Sequence, residues 1–265
     1  MAAVPISLKD MFSEAGFFVK KYLFLFLLLI LAITFFARNN YRSVKDISPE
    51  LLAQPRQQKA GNAPLIRFKK GGYSFELTPL YDYEVSGLIV SKMNYKIFSL
   101  GKFEKVFPYD LCMIWGSNVS GGLYKNNSLK FSQDCRWCYV QWFGDVSLNW
   151  EEFSNNHLLI SDPAIERKAG SLVVGDQVNI KGQLVNVKAT LISKPDIYDA
   201  SEYAWNSGVE KSGSGAGACK VIYVQDINIL KKANVVASFL FRVSFYGLII
   251  LIIYKLFNFF KLSRP

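Results

Sequence analysis

The sequence predicts a mainly β central domain, a small barrel or sandwich, flanked by two transmembrane α-helices. Three observations carry that prediction. Two strongly apolar runs, residues 22–37 and 235–254, lie near the ends and are bordered by Lys or Arg. Between them the chain is cut into short runs rich in aromatic and β-branched residues, several alternating with period 2. No long stretch between them repeats at the period of an amphipathic helix.

Tyr22–Ala37 has no charge and lies between Lys20-Lys21 and Arg38. At about 1.5 Å per residue it covers roughly 24 Å, and snorkelling lysines with the turn Phe17–Val19 extend it toward a ~30 Å hydrocarbon core. It ends Thr-Phe-Phe-Ala, with Phe where a signal peptide needs a small residue, so the run is an uncleaved anchor. Residues 1–21 are then a cytoplasmic tail in which Ser7 and Asp10 resemble a capping box opening a short interfacial helix. The second run is free of charge only over Val243–Tyr254, too few residues to cross. A span at 235–254 takes in Arg242, at a cost of about 2.5 kcal/mol or more unless it snorkels or is met by a partner. Arg242 is therefore a candidate contact to lipid or to another subunit. Long loops translocate largely regardless of charge, so the basic tail 255–265 and the N-terminal tail stay inside and the domain lies outside.

The net charge of +10 invites a nucleic-acid reading, which its distribution excludes. Residues 1–43 hold five Lys/Arg against two acids, and 231–265 hold six against none. The centre, 44–230, holds twenty against nineteen, so no basic surface is left to meet phosphate backbones. The partner expected instead is the bilayer, with other membrane subunits or further copies of the chain.

Residues 38–72 carry Pro49, Pro55 and Pro64 among polar residues, the composition of a linker or arm. The β-rich domain is expected over 73–230. Tyr73–Leu77, Tyr81–Ser91, Trp137–Phe143, Val178–Leu184, Val185–Leu191 and Val221–Leu230 are its strand candidates. The change of apolar parity after Gly182 predicts a bulge or bend of the kind small barrels use at corners. Gly175-Asp-Gln-Val178 with Ile180-Lys-Gly182-Gln-Leu-Val185 resembles strands of OB-type barrels, which makes Asp176 a turn residue. More broadly, Asp110-Leu-Cys-Met-Ile-Trp-Gly116, Ser154-Asn-Asn-His157-Leu, the Gly-Asp run and Gly215-Ala-Gly-Ala-Cys219 are similar to uncharacterised bacterial two-span membrane proteins. That resemblance implies a bacterial inner membrane with a periplasmic OB-like domain and carries no activity with it.

Four cysteines, Cys112, Cys135, Cys138 and Cys219, fall in the domain, and an even number outside the cytoplasm predicts disulfides whose connectivity the sequence leaves open, with Cys112 the natural partner if Cys219 is bonded. Cys135-Arg-Trp-Cys138 has redox-dithiol spacing but runs into a strand candidate, not a helix N-terminus. His157 is the sole histidine, which narrows acid–base chemistry and, with the cysteines, leaves no convincing metal set. One pairing stays open: His157 as base for a Cys219 nucleophile, with Asn155 or Asn156 orienting the imidazole. The order His, Gly-Asp strand, Cys on a membrane-anchored barrel resembles sortase transpeptidases, yet no Arg lies between Cys219 and the second anchor. Lys211–Gly217 has the glycines of a phosphate loop without its Lys-Ser/Thr ending.

On these grounds the leading expectation is a non-enzymatic binding or assembly subunit of a membrane complex, with no cofactor and no metal. A Cys–His hydrolase or transpeptidase comes second, and thiol–disulfide exchange through Cys135 and Cys138 third.

Overall fold

A computed structural model describes residues 8–98, 107–134, 136–195, 197, 199–210 and 219–262. The chain forms two compact units, a helical one from the two ends and a central one over Asn40–Ala233.

In the helical unit one continuous helix runs Leu8–Ala37, so among the described residues the stretch before the apolar run is part of the same helix. The C-terminal helix is Val235–Leu262, and over Val235–Phe259 it is long and apolar enough to cross a membrane. The apolar part of the N-terminal helix, Tyr22–Ala37, is shorter. The helices pack antiparallel. Phe35 meets Phe241 with ring centroids 6.3 Å apart, and at the far end Lys255 Nζ lies 5.3 Å from the Phe24 ring. Between them Gly247 admits Leu27, whose Cδ1 would lie 3.0 Å from a Cβ.

The central unit is built on five strands that close on themselves. β3 (Tyr73–Asn94) pairs with β4 (Tyr109–Ile114), β4 with β7 (Phe153–Leu159), and β7 with β10 (Cys219–Lys231). β10 pairs with β8 (Gln177–Leu191), which returns to β3. Every pairing is antiparallel except β7 with β10, which is parallel. Alternation aims Tyr109, Leu111, Met113, Leu158, Val178, Ile180, Leu184, Ile222 and Val224 into one buried core. A nine-residue helix, Pro163–Ser171, follows β7, with Asp162 capping Ala164 N and Pro163 at its first position.

The outer faces are covered too. β5 (Leu129–Asp134) and β6 (Trp137–Trp142) form a hairpin whose Leu129 and Phe131 join Cys112, Ile114 and Phe153 in a second core. A third core gathers Tyr73, Phe75, Leu77, Phe107, Leu159, Val185, Val187 and Val221. It forms because β3 and β8 change parity together: the register shifts at Pro79/Tyr81, and Leu184 and Val185 are both buried, each in a different core. The expected break in β8 parity is thus present, two residues beyond Gly182. Gly182 itself marks a close approach, since a Cβ there would sit 2.2 Å from the Tyr223 carbonyl oxygen.

The segment 38–72 is not a loose arm. Leu51 is fully buried, β1 (Arg56–Lys59) and β2 (Ile66–Lys70) pair with β3, and Gly116 N donates to Leu51 O. Pro49 opens a short 3-10 turn, Pro49–Leu52, and Pro55 and Pro64 come shortly before β1 and β2. β9 (Glu202–Trp205) adds to the edge of β8.

Candidate active site

The closed ring sets three polar side chains on adjacent strands, on the outer face between the second and third cores. Asp110 on β4 is opposite His157 on β7, and one rung away Cys112, Asn155 and Cys219 align across β4, β7 and β10. Residues two apart on a strand share a face, so Asp110, His157 and Cys219 project to the same side.

Asp110 and His157 are fully buried. His157 Nδ1 lies 2.8 Å from Asp110 Oδ2, in ion-pair reach but bent away from a straight hydrogen bond. The other carboxylate oxygen accepts from Arg136 Nη1 at 3.0 Å, and the same nitrogen donates to Phe107 O at 3.0 Å. Arg136 occupies the hairpin turn at φ 74°, a left-handed backbone uncommon for a non-glycine residue. It is held there by Tyr95, whose hydroxyl accepts from Arg136 N at 2.8 Å and whose ring lies 3.5 Å under the guanidinium.

Asn155 joins the turn to the thiol. Its Nδ2 donates to Arg136 O at 2.7 Å and lies 3.9 Å from Cys219 Sγ, while its Oδ1 accepts from Gln133 Nε2 at 3.2 Å. Trp205 lies against the imidazole with centroids 4.5 Å apart. Burial opposes a charge on His157, but the Asp110 carboxylate and the Cys219 thiol outweigh it, and its pKa is pushed up to about 9. At neutral pH the ring is therefore an imidazolium between a carboxylate and a sulfur. Such a ring can hold a thiolate beside it and return a proton to a leaving group.

Cys219 is half-buried and its thiol is free. Cys112 is bonded to Cys138 and is therefore not available to Cys219. Position on the strands explains the choice: Asn155 occupies the rung between Cys112 and Cys219, while the β5–β6 hairpin lays Cys138 over Cys112. Cys135 and Lys211–Gly217 lie outside the described residues. Asn156 does not orient the imidazole, because adjacent strand residues face opposite ways. It points into the barrel, donating to Leu111 O at 3.1 Å and Ser154 Oγ at 2.9 Å. Asp176 is a turn residue as expected, accepting from Val173 N at 3.0 Å, and also holds Ala233 N at 2.8 Å. Among the described residues no group of three His, Cys, Asp or Glu side chains is arranged to hold a metal.

Sequence reasoning did not single out Asp110 or Arg136. Their signals were faint: a lone acid in an otherwise apolar strand, and an arginine inside the Cys-x-x-Cys turn. Comparison with protein-family models, with curated proteins and with solved structures returns no match.

Proposed function

We propose that this protein is a membrane-anchored cysteine enzyme of the acyl-transfer type, a hydrolase or transpeptidase, with Cys219 as nucleophile. The observation that carries the reading is the unpaired thiol beside a buried imidazole that a carboxylate holds from behind. In the reaction the Cys219 sulfur attacks an acyl carbon, forming a C–S bond. The bond to the leaving amine or alcohol breaks as His157 delivers its proton to it. Water or a second amine then attacks the thioester, gives its proton back to His157 and frees the sulfur.

The scaffold supports this reading. The strand order β3-β4-β7-β10-β8, its one parallel pair and the helix between β7 and β8 agree with an OB-like barrel. Asp110 and His157 then lie on the outer face of its second and third strands, the side where such barrels take ligands. The order of His and Cys is sortase-like, but the arginine is not: Arg136 comes from the preceding hairpin and holds Asp110. We place the domain outside a cytoplasmic membrane on two spans, consistent with the Cys112–Cys138 bond.

Assembly within a membrane complex is the second reading, favoured by exposed Trp137, Tyr139, Trp142 and Phe143 on one hairpin. Thiol–disulfide exchange through Cys135 and Cys138 draws no support, because Cys138 is bonded to Cys112.

The test is the alkylation of Cys219 by iodoacetamide in the full chain in detergent, followed by peptide mass spectrometry near pH 7. His157→Ala is expected to slow it about tenfold or more, since an unassisted thiol is only a few per cent thiolate there. Equal rates in the two proteins would overturn the reading.

A further inference from the structure

At the end of the helical unit nearest Arg38, two buried donors, one on Arg38 and one on Ser238, have no acceptor among the described residues. Asn234, Ser238 and Phe241 recur at i, i+4 and i+7, one face of the C-terminal helix. Both ends of that face meet Arg38: Asn234 Nδ2 donates to Arg38 O at 3.3 Å, and the Phe241 ring centroid lies 3.6 Å from the guanidinium. Ser238 falls between them, and Arg242 adjoins Phe241. Arg38 Nε and Ser238 Oγ are both shut from water and make no hydrogen bond among the described residues. The Arg242 charge bears on Arg38, like against like.

No acid lies near this end of either helix to balance those charges. The chain has no acid between Glu14 and Asp46 and none after Asp226. Two guanidiniums, which only donate, and a serine hydroxyl ask for an anion with several acceptor oxygens, which is the description of a phosphate group. The level of the site in the helix pair says where that phosphate comes from. Arg38 directly follows the first apolar run; its carbonyl meets Asn234, and its guanidinium reaches Phe241 and so comes level with Arg242. At the opposite end Lys255 lies over Phe24. The charge-free stretch between Arg242 and Lys255 is about 20 Å at 1.5 Å per residue, so both side chains snorkel outward to mark the two faces of a ~30 Å core. Arg242 lies about two turns along the helix from Asn234 and reaches the headgroups by snorkelling beside the Arg38 guanidinium.

We propose that Arg38, Ser238 and Arg242 bind one phosphate group, and that it is the headgroup of an anionic phospholipid. The proposal rests on both helices spanning the bilayer and is independent of the Cys219 chemistry.

The full chain is reconstituted in vesicles of equal phosphatidylglycerol and phosphatidylcholine and extracted in mild detergent, and co-purifying lipid is counted by mass spectrometry. Phosphatidylglycerol is expected to be enriched about fivefold for each arginine engaged, near 1 kcal/mol apiece. Arg38→Gln and Arg242→Gln each lose one such factor, and Lys255→Gln at the other face loses none. Removing a charge eases helix insertion, so the variants remain competent to insert. Enrichment unchanged in the Arg38→Gln/Arg242→Gln protein overturns the site. Displacement of the lipid by excess inorganic phosphate overturns the lipid as its source. A chain that alkaline carbonate strips from the vesicles overturns the spanning helices and the site with them.

Discussion

Arg136 concentrates the demands made on single side chains. Its guanidinium is shared by Asp110, Phe107 O and the Tyr95 ring, and its carbonyl holds Asn155 next to the thiol. Arg136→Ala frees the Asp110 carboxylate to turn from His157, and the alkylation rate of Cys219 is expected to fall toward that of Asp110→Asn. Arg136→Lys restores part of it, since an ammonium keeps the charge but not the planar fork. A rate untouched by Arg136→Ala would make the arginine purely a hairpin anchor. His157 carries a stability signature as well. Its pKa is about 9 when folded, against about 6.5 in an unfolded chain. The stabilisation is thus complete below pH ~6.5 and is lost as pH climbs toward 9, on the order of 3 kcal/mol in all. Urea midpoints of the wild type are expected to fall across that window, and those of His157→Phe to stay flat in comparison. Gly182 belongs at this scale too. Gly182→Ala drives a methyl into the Tyr223 carbonyl and is expected to cost about 2 kcal/mol or more, read as a lowered urea midpoint.

Among the elements, the β5–β6 hairpin does the most to shape the site. It carries Arg136 at its turn, caps the second core with Leu129 and Phe131, and is fastened by Cys138 to β4. Replacing both Cys112 and Cys138 by Ser removes a cross-link over 26 residues, with an expected loss of about 3 kcal/mol. It also leaves the turn free to move, so Cys219 alkylation slows in the same protein. Unchanged alkylation would show that Tyr95 alone seats the arginine. How far these elements were legible depended on local signals. The Val178–Leu191 alternation announced β8 and its parity break because every second residue is apolar on each side of the break, Gly182 excepted. β7 announced nothing: Ser154-Asn-Asn-His157 is polar, and only the ring around it makes it a fully buried strand. Arm residues 38–72 were misread for the opposite reason, since prolines conceal a Leu51 that packs under β3. His157 and Cys219 were paired from residue type and order. Asp110 and Arg136 were not, because their meeting depends on a hairpin folding back over a strand.

Across the whole molecule, chemistry and location are separable claims. The helical unit contains one helix able to cross a bilayer and a shorter apolar partner packed along it. The central unit closes its own sheet and has three cores, so it is expected to fold without the helices. Residues 40–233 expressed alone should give a monomer with a cooperative melt and the Cys112–Cys138 bond intact. An aggregate would show that the barrel depends on its anchors. The central claim is that Cys219, His157 and Asp110 act as one unit, and a double-mutant cycle on Cys219 alkylation tests it most directly. Groups acting through one another are non-additive, so His157→Ala/Asp110→Asn is predicted to react no more slowly than His157→Ala alone. If the two losses multiply instead, the carboxylate acts on the thiol independently of the imidazole, and the triad account is contradicted.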